Sequence, residues 1–367
     1  MKRAVFQIEA LVISENVDFG SLKELKRDVC MCEKPRVSIG LPVFNGEKYL
    51  EEALDSILAQ TYQDFELIIS DNASTDHTQQ ICLDYVTKDS RIRYYRNKQN
   101  LGAPRNFNKV FKLSSGEYFK WAAYDDLIAP EYIHKCVNVL NNDPSIVLCH
   151  SKTGRIDEQG TLIGNYDDRT LRRVSSWKPH ERFGDLISIR NPCWSIFGVI
   201  RTSSLRKTPL HGSYIGADRN LLAEIGLWGR LYEIPQHLFF RRDHDQAYTR
   251  RFCEQGFAIN VAKYDEQFAW WTKDSWTYFP NWKNFFEFLR SIKRVQLKWT
   301  ERLLCINEIL RWLIVEGWRF LESDIENLLM HRSRLGGKLI PALKPIRLKL
   351  EHKVIQIVRE CGYKKRR

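Results

Sequence analysis

The chain has 367 residues, 43% of them hydrophobic and 12% aromatic, which suffices for one large α/β domain plus a helical appendage and excludes a globally disordered chain. No apolar run reaches the roughly 18 residues of a spanning helix, and the opening MKRAVFQIEALVISENVDFG, with acids inside its apolar stretch and no small-residue cleavage site, does not read as a secretory signal. Of the net charge of +12, residues 328–367 carry +10 (twelve Lys or Arg against Glu351 and Glu360), so a nearly neutral body with a basic tail predicts docking to an anionic surface rather than nucleic-acid binding.

Residues 1–34 show no clean period. RVSIGLPVF then reads as a buried strand centred on Val37–Leu41 and closed by Pro42. Leu50, Ala53, Leu54, Ile57 and Leu58 follow with the spacing of one apolar helix face. FELIIS (65–70) is a second buried strand, and Ser74-Thr75-Asp76 supplies N-cap chemistry for a helix reaching about Lys88. Ile92–Arg96 is a third strand, Ala103–Ser114 a helix and Glu117–Ala123 a fourth strand. A helix after Pro130 and an apolar run at Ile146–Ser151 come next. This alternation predicts βαβ units and a mostly parallel sheet. Asn191–Arg201 reads as a strand broken by Gly198, Asp218–Gly226 as a short helix, and Tyr264–Leu329 as helical and rich in Trp and Phe. The nine cysteines are scattered, with only Cys30 and Cys32 close together, and read as reduced thiols.

Ligands of open parallel sheets bind beyond the carboxyl ends of the strands. Three such loops carry polar chemistry: Pro42-Val43-Phe44-Asn45-Gly46, Asp71-Asn72-Ala73-Ser74 and Tyr124-Asp125-Asp126. Each is also an ordinary turn or cap sequence; together they point to one site. Neither G-x-G-x-x-G nor a P-loop occurs, so phosphate charge needs another neutraliser, and the Asp125-Asp126 carboxylates suit a divalent cation bridging to a diphosphate. Asp167-Asp168, in a polar loop without a preceding strand, reads as an unrelated pair.

The block VSIGLPVFNGEKYLEEALDSILAQTYQDFELIISDNASTDHT resembles the opening of inverting family 2 glycosyltransferases with the GT-A fold. The similarity continues through NLGAPRNFNKVFKLSSGEYFKWAAYDDLIAPEYI and, more weakly, GADRNLLAEIGLWGRLYEIPQHLFFRRDH, covering roughly residues 36–250. The resemblance implies an α/β fold with a Rossmann-like, mostly parallel central sheet flanked by helices and a C-terminal helical region. With the pattern of the remaining residues, the expected organisation is an N-terminal extension (1–34), a GT-A domain (35–250), a helical acceptor-side region (251–330) and a basic amphipathic tail (331–367).

By position, Pro42, Phe44 and Asn45 resemble the loop under the nucleobase and ribose, Asp71 the carboxylate that reads the base, and Asn100 with Arg105 or Asn106 the segment near the donor. Asp125-Asp126 resembles the end of an Asp-x-Asp-Asp metal motif whose first acidic position is Ala123 here, implying bound Mg²⁺ or Mn²⁺. Asp218 matches the catalytic base, after Ala217 in place of an acid, and equally reads as a helix N-cap. Arg241, Arg242 and His244 resemble a basic patch that binds the diphosphate or, through His244, the metal; a solvated turn is the alternative.

The implied reaction displaces a nucleoside diphosphate, UDP by default, from a sugar by an acceptor hydroxyl, in polysaccharide, glycan or glycolipid synthesis. In the tail, Ile346, Leu350, Val354 and Ile357 share a helical face among basic residues. That pattern reads as a packed helix or as a segment lying on an anionic membrane, which would suit a lipid-linked acceptor. A cytoplasmic protein, peripheral on the inner face of the membrane, is the expected setting. Ala123 and Ala217 keep a second reading in play, a nucleotide-sugar-binding scaffold without catalysis.

Overall fold

β1 (Val37–Val43) and β2 (Phe65–Asp71) are buried along their whole length, as apolar runs in a sheet covered on both faces must be. Between them α1 (Leu50–Leu58) turns Leu50, Ala53, Leu54 and Ile57 inward. The unit repeats through α2 (Thr78–Lys88), β3 (Ile92–Arg96), α3 (Ala103–Lys112) and β4 (Tyr118–Trp121). These four strands are parallel and in step, Val37 lying beside both Phe65 and Tyr118, and Asp71 beside Arg96. Their carboxyl ends therefore share one edge. Strand β1 runs one residue beyond Pro42, whose missing N–H falls past the end of the β4 ladder at Gly40.

A computed structural model describes residues 34–166, 171–188, 191–245, 253–254, 258–259, 280–319, 321–322 and 324; all but Lys34 belong to the unit Pro35–Arg367. The chain continues through β5 (Leu127–Ile128), α4 (Tyr132–Asn142), β6 (Ile146–Ile156), β7 (Leu162–Asn165), α5 (Pro179–Ile187), β8 (Val199–Arg201), α6 (Thr202–Leu205), α7 (Ala217–Trp228) and β9 (Arg230–Arg242). The strand order is β3-β2-β1-β4-β8-β6-β9-β5, with β7 on β6. Strand β8 is antiparallel to β4 and β6, and β6 is parallel to β9. So β6 and β9 point the same way as β1–β4, and the α/β fold with a mostly parallel sheet is present as expected.

Helices cover both faces. Leu50, Leu54, Cys82, Ile133 and Leu140 pack with Ile39 and Leu67 on one side. Val110, Phe119, Trp121, Phe183 and Leu222 form the other core. That second core includes Phe288 of α8 (Pro280–Arg294) and Ile309 of α9 (Trp299–Trp312), which runs on into a π turn at Leu313–Gly317. No helix among the described residues is long and apolar enough to cross a membrane. Cys82, Cys136, Cys149, Cys193 and Cys305 are buried free thiols.

Three local expectations need correction. Asn191–Arg201 is not one strand: Asn191 Oδ1 accepts from Cys193 N at 2.9 Å with Cys193 at φ 64°, which turns the chain into a 3₁₀ segment, Trp194–Phe197, before β8. Beyond Arg250 the first described residues are a small antiparallel pair, β10 (Cys253–Glu254) with β11 (Ala258–Ile259), rather than helix. Helix α2 begins at Thr78, after the Ser74-Thr75-Asp76 turn; Asp76 Oδ1 still caps it, accepting from Thr78 N at 3.0 Å. Asp167-Asp168 and the tail lie outside the described residues, as do residues 1–33.

Candidate active site

The loop after β1 is built to touch its neighbours. Asn45 adopts a left-handed backbone (φ 51°), its N–H donating to Ser74 Oγ at 2.9 Å and its Oδ1 accepting from Thr75 N at 2.9 Å. A Cβ on Gly46 would stand 2.7 Å from Val43 Cγ2 and 2.9 Å from the ring of Tyr124, so glycine lets this loop lie against the one after β4. Pro42 is buried inside β1; the exposed part of the loop begins with half-buried Phe44 and exposed Asn45.

Asp71 closes β2 with no exposed surface. Its Oδ1 accepts from Ser74 N at 2.8 Å, and its Oδ2 accepts from Tyr94 Oη at 2.7 Å and Arg96 Nη1 at 2.6 Å. The Asp71 carboxylate is covered, and the exposed group beside it is Arg96, whose Nη2 also donates to Ser74 O at 2.8 Å. Sequence reading missed Arg96. Its signal was present: Tyr94 and Arg96 alternate on one face of β3, and Arg96 is in register with Asp71.

Asn100 lies next to this turn: its Oδ1 accepts from Asn72 Nδ2 and from Gly102 N, each at 2.8 Å. Asn106 is buried, with Nδ2 on Ser70 O at 2.7 Å and Oδ1 accepting from Ser70 Oγ at 2.7 Å, so it locks α3 to β2. Arg105, by contrast, is exposed in the first turn of α3.

Asp125 and Asp126 follow β4 and precede β5, whose pairing with β9 brings them to the end of that strand. His244 Nε2 is 2.9 Å from Asp125 Oδ2, and Arg242 N donates to Asp126 Oδ1 at 2.9 Å. Burial and then the charge of Asp125 raise the Asp126 carboxyl well above the usual carboxylate range.

Arg242, expected on the donor, is turned away from solvent, its side chain wholly covered. Its guanidinium donates to Asp125 O at 2.9 Å, Glu158 O at 2.8 Å and Glu52 Oε2 at 2.6 Å and lies over the Tyr49 ring. It braces the aspartate turn instead of offering an open cation; Tyr49 and Glu52, which sequence reading did not single out, complete this brace. The Tyr49 ring also lies against His244, tilted by 53° with centroids 4.7 Å apart. Arg241 is half-buried, with Nη1 3.3 Å from Tyr166 Oη and its guanidinium 5.8 Å from the Trp194 ring.

Asp218 is the second residue of α7, not its cap; Gly216 (φ 81°) precedes the helix, and Asp218 Oδ1 accepts from Arg219 N at 2.8 Å. Arg219 Nη2 donates to Asn191 O at 3.1 Å, tying this helix start to the segment that carries Trp194. Asn284 of α8 holds the same corner, donating to Ile215 O at 2.8 Å and accepting from Asn220 Nδ2 at 2.6 Å.

Among the described residues no three His, Cys, Asp or Glu side chains are grouped to hold a metal by themselves. The donor set at Asp125-Asp126 nonetheless fits a hard divalent cation. Mg²⁺ is commonly bound through one or two carboxylates plus substrate phosphates, and the mutual repulsion seen at Asp126 is what such an ion would relieve.

Residues 38–207 match the profile of glycosyl transferase family 2. An uncharacterized glycosyltransferase of Haemophilus influenzae is 35% identical over 218 residues, 57% of this chain and 66% of that protein. One of Rickettsia typhi is 43% identical over 118 residues, 31% of this chain and 36% of that protein, so the chain spans only about a third of that relative. In fold, TarS of S. aureus in complex with UDP-GlcNAc superposes with a TM-score of 0.53 at 16% identity, covering 76% of this chain and 73% of that one. Residues 38–207 thus match glycosyl transferase family 2 in sequence, and the chain shares the fold of TarS.

Proposed function

We propose that the chain transfers a sugar from a nucleoside diphosphate onto an acceptor hydroxyl, with inversion at the anomeric carbon. The observation that carries this reading is the braced Asp125-Asp126 turn, set by Arg242 and His244 at the same sheet edge as the interlocked Asn45 and Asp71 loops. The first donor to test is a UDP-sugar, since the TarS structure of like fold is a UDP-GlcNAc complex.

In this reading Phe44, Asn45, Asn100 and Arg96 line the nucleoside end, with Asp71 acting through Arg96, and Arg105 and Arg241 serve the phosphates. Asp125 and Asp126 would hold Mg²⁺ or Mn²⁺, which would supply Lewis acidity worth several kcal/mol toward the diphosphate. His244 orients Asp125, and Arg242 fixes the turn. Asp218 removes the acceptor proton as the bond forms, a role worth about 10²–10⁴-fold. Helix α8 belongs to the acceptor-side region and steadies the start of α7. The acceptor is a glycan or a lipid-linked sugar, and the basic tail adds contact with an anionic membrane.

Thermal shift of the whole chain against a panel of nucleoside diphosphates with Mn²⁺, followed by a transfer assay with the matching sugars, tests the proposal. Stabilisation by one diphosphate together with sugar transfer or donor hydrolysis is the expected result. Binding with neither reaction would leave the scaffold reading that Ala123 and Ala217 favour.

A further inference from the structure

Helix α9 and its π turn carry three carboxylates between Lys298 and Arg319, and all three face inward. Glu301 Oε2 lies 2.9 Å from His180 Nδ1 of α5. Glu308 is buried against Arg173 at 3.6 Å and Arg311 at 3.2 Å. Glu316 accepts from Ser188 Oγ at 3.3 Å.

The opposite face is the reverse of a normal solvated one. Trp299 is 74% exposed, Leu303 56% and Val315 61%, with Leu304 beside them. The cations Lys298, Arg302 and Arg319 are exposed along the same stretch, and no acid is. Isolated exposed apolar residues are ordinary; here four of them share the solvent side of one helix with cations and the neutral Thr300 and Asn307, and with no exposed acid.

We propose that this face of α9 lies on an anionic lipid surface. The charge pattern selects that occupant. A second copy of the chain would set cation against cation, whereas anionic headgroups meet Lys298, Arg302 and Arg319, and the acyl boundary takes Trp299, Leu303 and Val315. Trp beside Lys at a helix start is an arrangement that puts an apolar ring in the headgroup layer and an ammonium in water. The exposed apolar residues are spread over on the order of 24 Å of helix, with exposed Asn307 and Arg311 between Leu304 and Val315, and α9, packed on α5, would lie on the bilayer rather than cross it. The residues of this surface are other than those of the basic tail, and the inference does not depend on the proposed reaction.

The test uses the full chain, co-sedimented with vesicles of phosphatidylcholine alone and of equimolar phosphatidylcholine and phosphatidylglycerol. The wild type should sediment with the anionic vesicles, not with the neutral ones. The double variant Trp299→Glu/Leu303→Glu should lose at least ~10-fold in bound fraction, and Val315→Glu a smaller part, with melting temperatures unchanged because these side chains are exposed. Equal sedimentation of wild type and double variant, or no vesicle binding by the wild type, overturns the proposal. So does a wild-type dimer in sedimentation velocity that the double variant abolishes, since the face would then belong to a second copy.

Discussion

The backbone amide of Arg242 holds Asp126 Oδ1 at 2.9 Å while its guanidinium holds the carbonyl of Asp125 at the same distance. One residue at the end of β9 thus fixes both members of the aspartate pair, and Glu52 of α1 neutralises it from behind.

Replacing this residue tests the brace. In Arg242→Met, Asp125 O and Glu158 O lose their charged donor in a partly buried setting. A loss of about 2–4 kcal/mol in unfolding free energy is expected by urea titration. Glu52→Gln keeps a hydrogen-bond acceptor but removes the counter-charge of a covered guanidinium; because the Glu52 side chain is itself half-exposed, the loss should be smaller than in Arg242→Met.

Asp125→Ala should abolish metal-dependent donor binding. Titration calorimetry with UDP in Mn²⁺ should give heat for the wild type and none after EDTA, and none in either condition for the variant. Unchanged binding in Asp125→Ala would remove the pair from the metal site.

Asp218→Asn should lower kcat by at least ~10² with donor affinity little changed, because a base acts in the transition state and not on the bound donor. Steady-state kinetics and donor titration measure the two separately. Near-normal turnover would dismiss Asp218 as the base.

Asn284 positions the helix that carries Asp218, through Ile215 O and Asn220, and a Cβ on Gly216 would meet it at about 3 Å. Asn284→Ala should reduce kcat by about 10-fold with the donor KM unchanged. A parallel rise in donor KM would point to general loosening of the fold instead.

Lys120, buried in β4, donates to Phe197 O at 2.6 Å and Trp121 O at 3.1 Å, and burial pushes its ammonium down to about 8. The unfolded chain therefore holds more protons than the folded one between pH 8 and the ordinary lysine value of 10.5. Stability from this group must rise with pH across that window and is reduced below it. Lys120→Met lacks this dependence, so the stability difference between wild type and variant should move toward the wild type by up to about 3 kcal/mol from pH 7 to pH 10.

Much of the fold was legible in the sequence. Parallel strands buried on both faces must be apolar throughout, so VSIGLPV and FELIIS announce themselves, and the stripe Leu50–Leu58 gives the helix between them. The three loops that meet at the sheet edge follow from strand order alone, which places Asn45, Asp71 and Asp125-Asp126 at one end of the sheet. Strand β9 was harder, because RLYEIPQHLFFRR mixes exposed and buried positions and contains Pro235, and its register against β6 shifts.

What only the tertiary structure decided is which polar groups remain available. Sequence places Asp71, Arg242 and His244 in the right loops, but a charge type does not say whether its partners lie within the protein. Burial does: desolvating a charge is so costly that Asp71 takes Arg96 and Arg242 takes Glu52, while the covered His244 ring takes Asp125 as its hydrogen-bond partner. Those complements lie 25, 190 and 119 residues away in the chain, separations that no local pattern encodes.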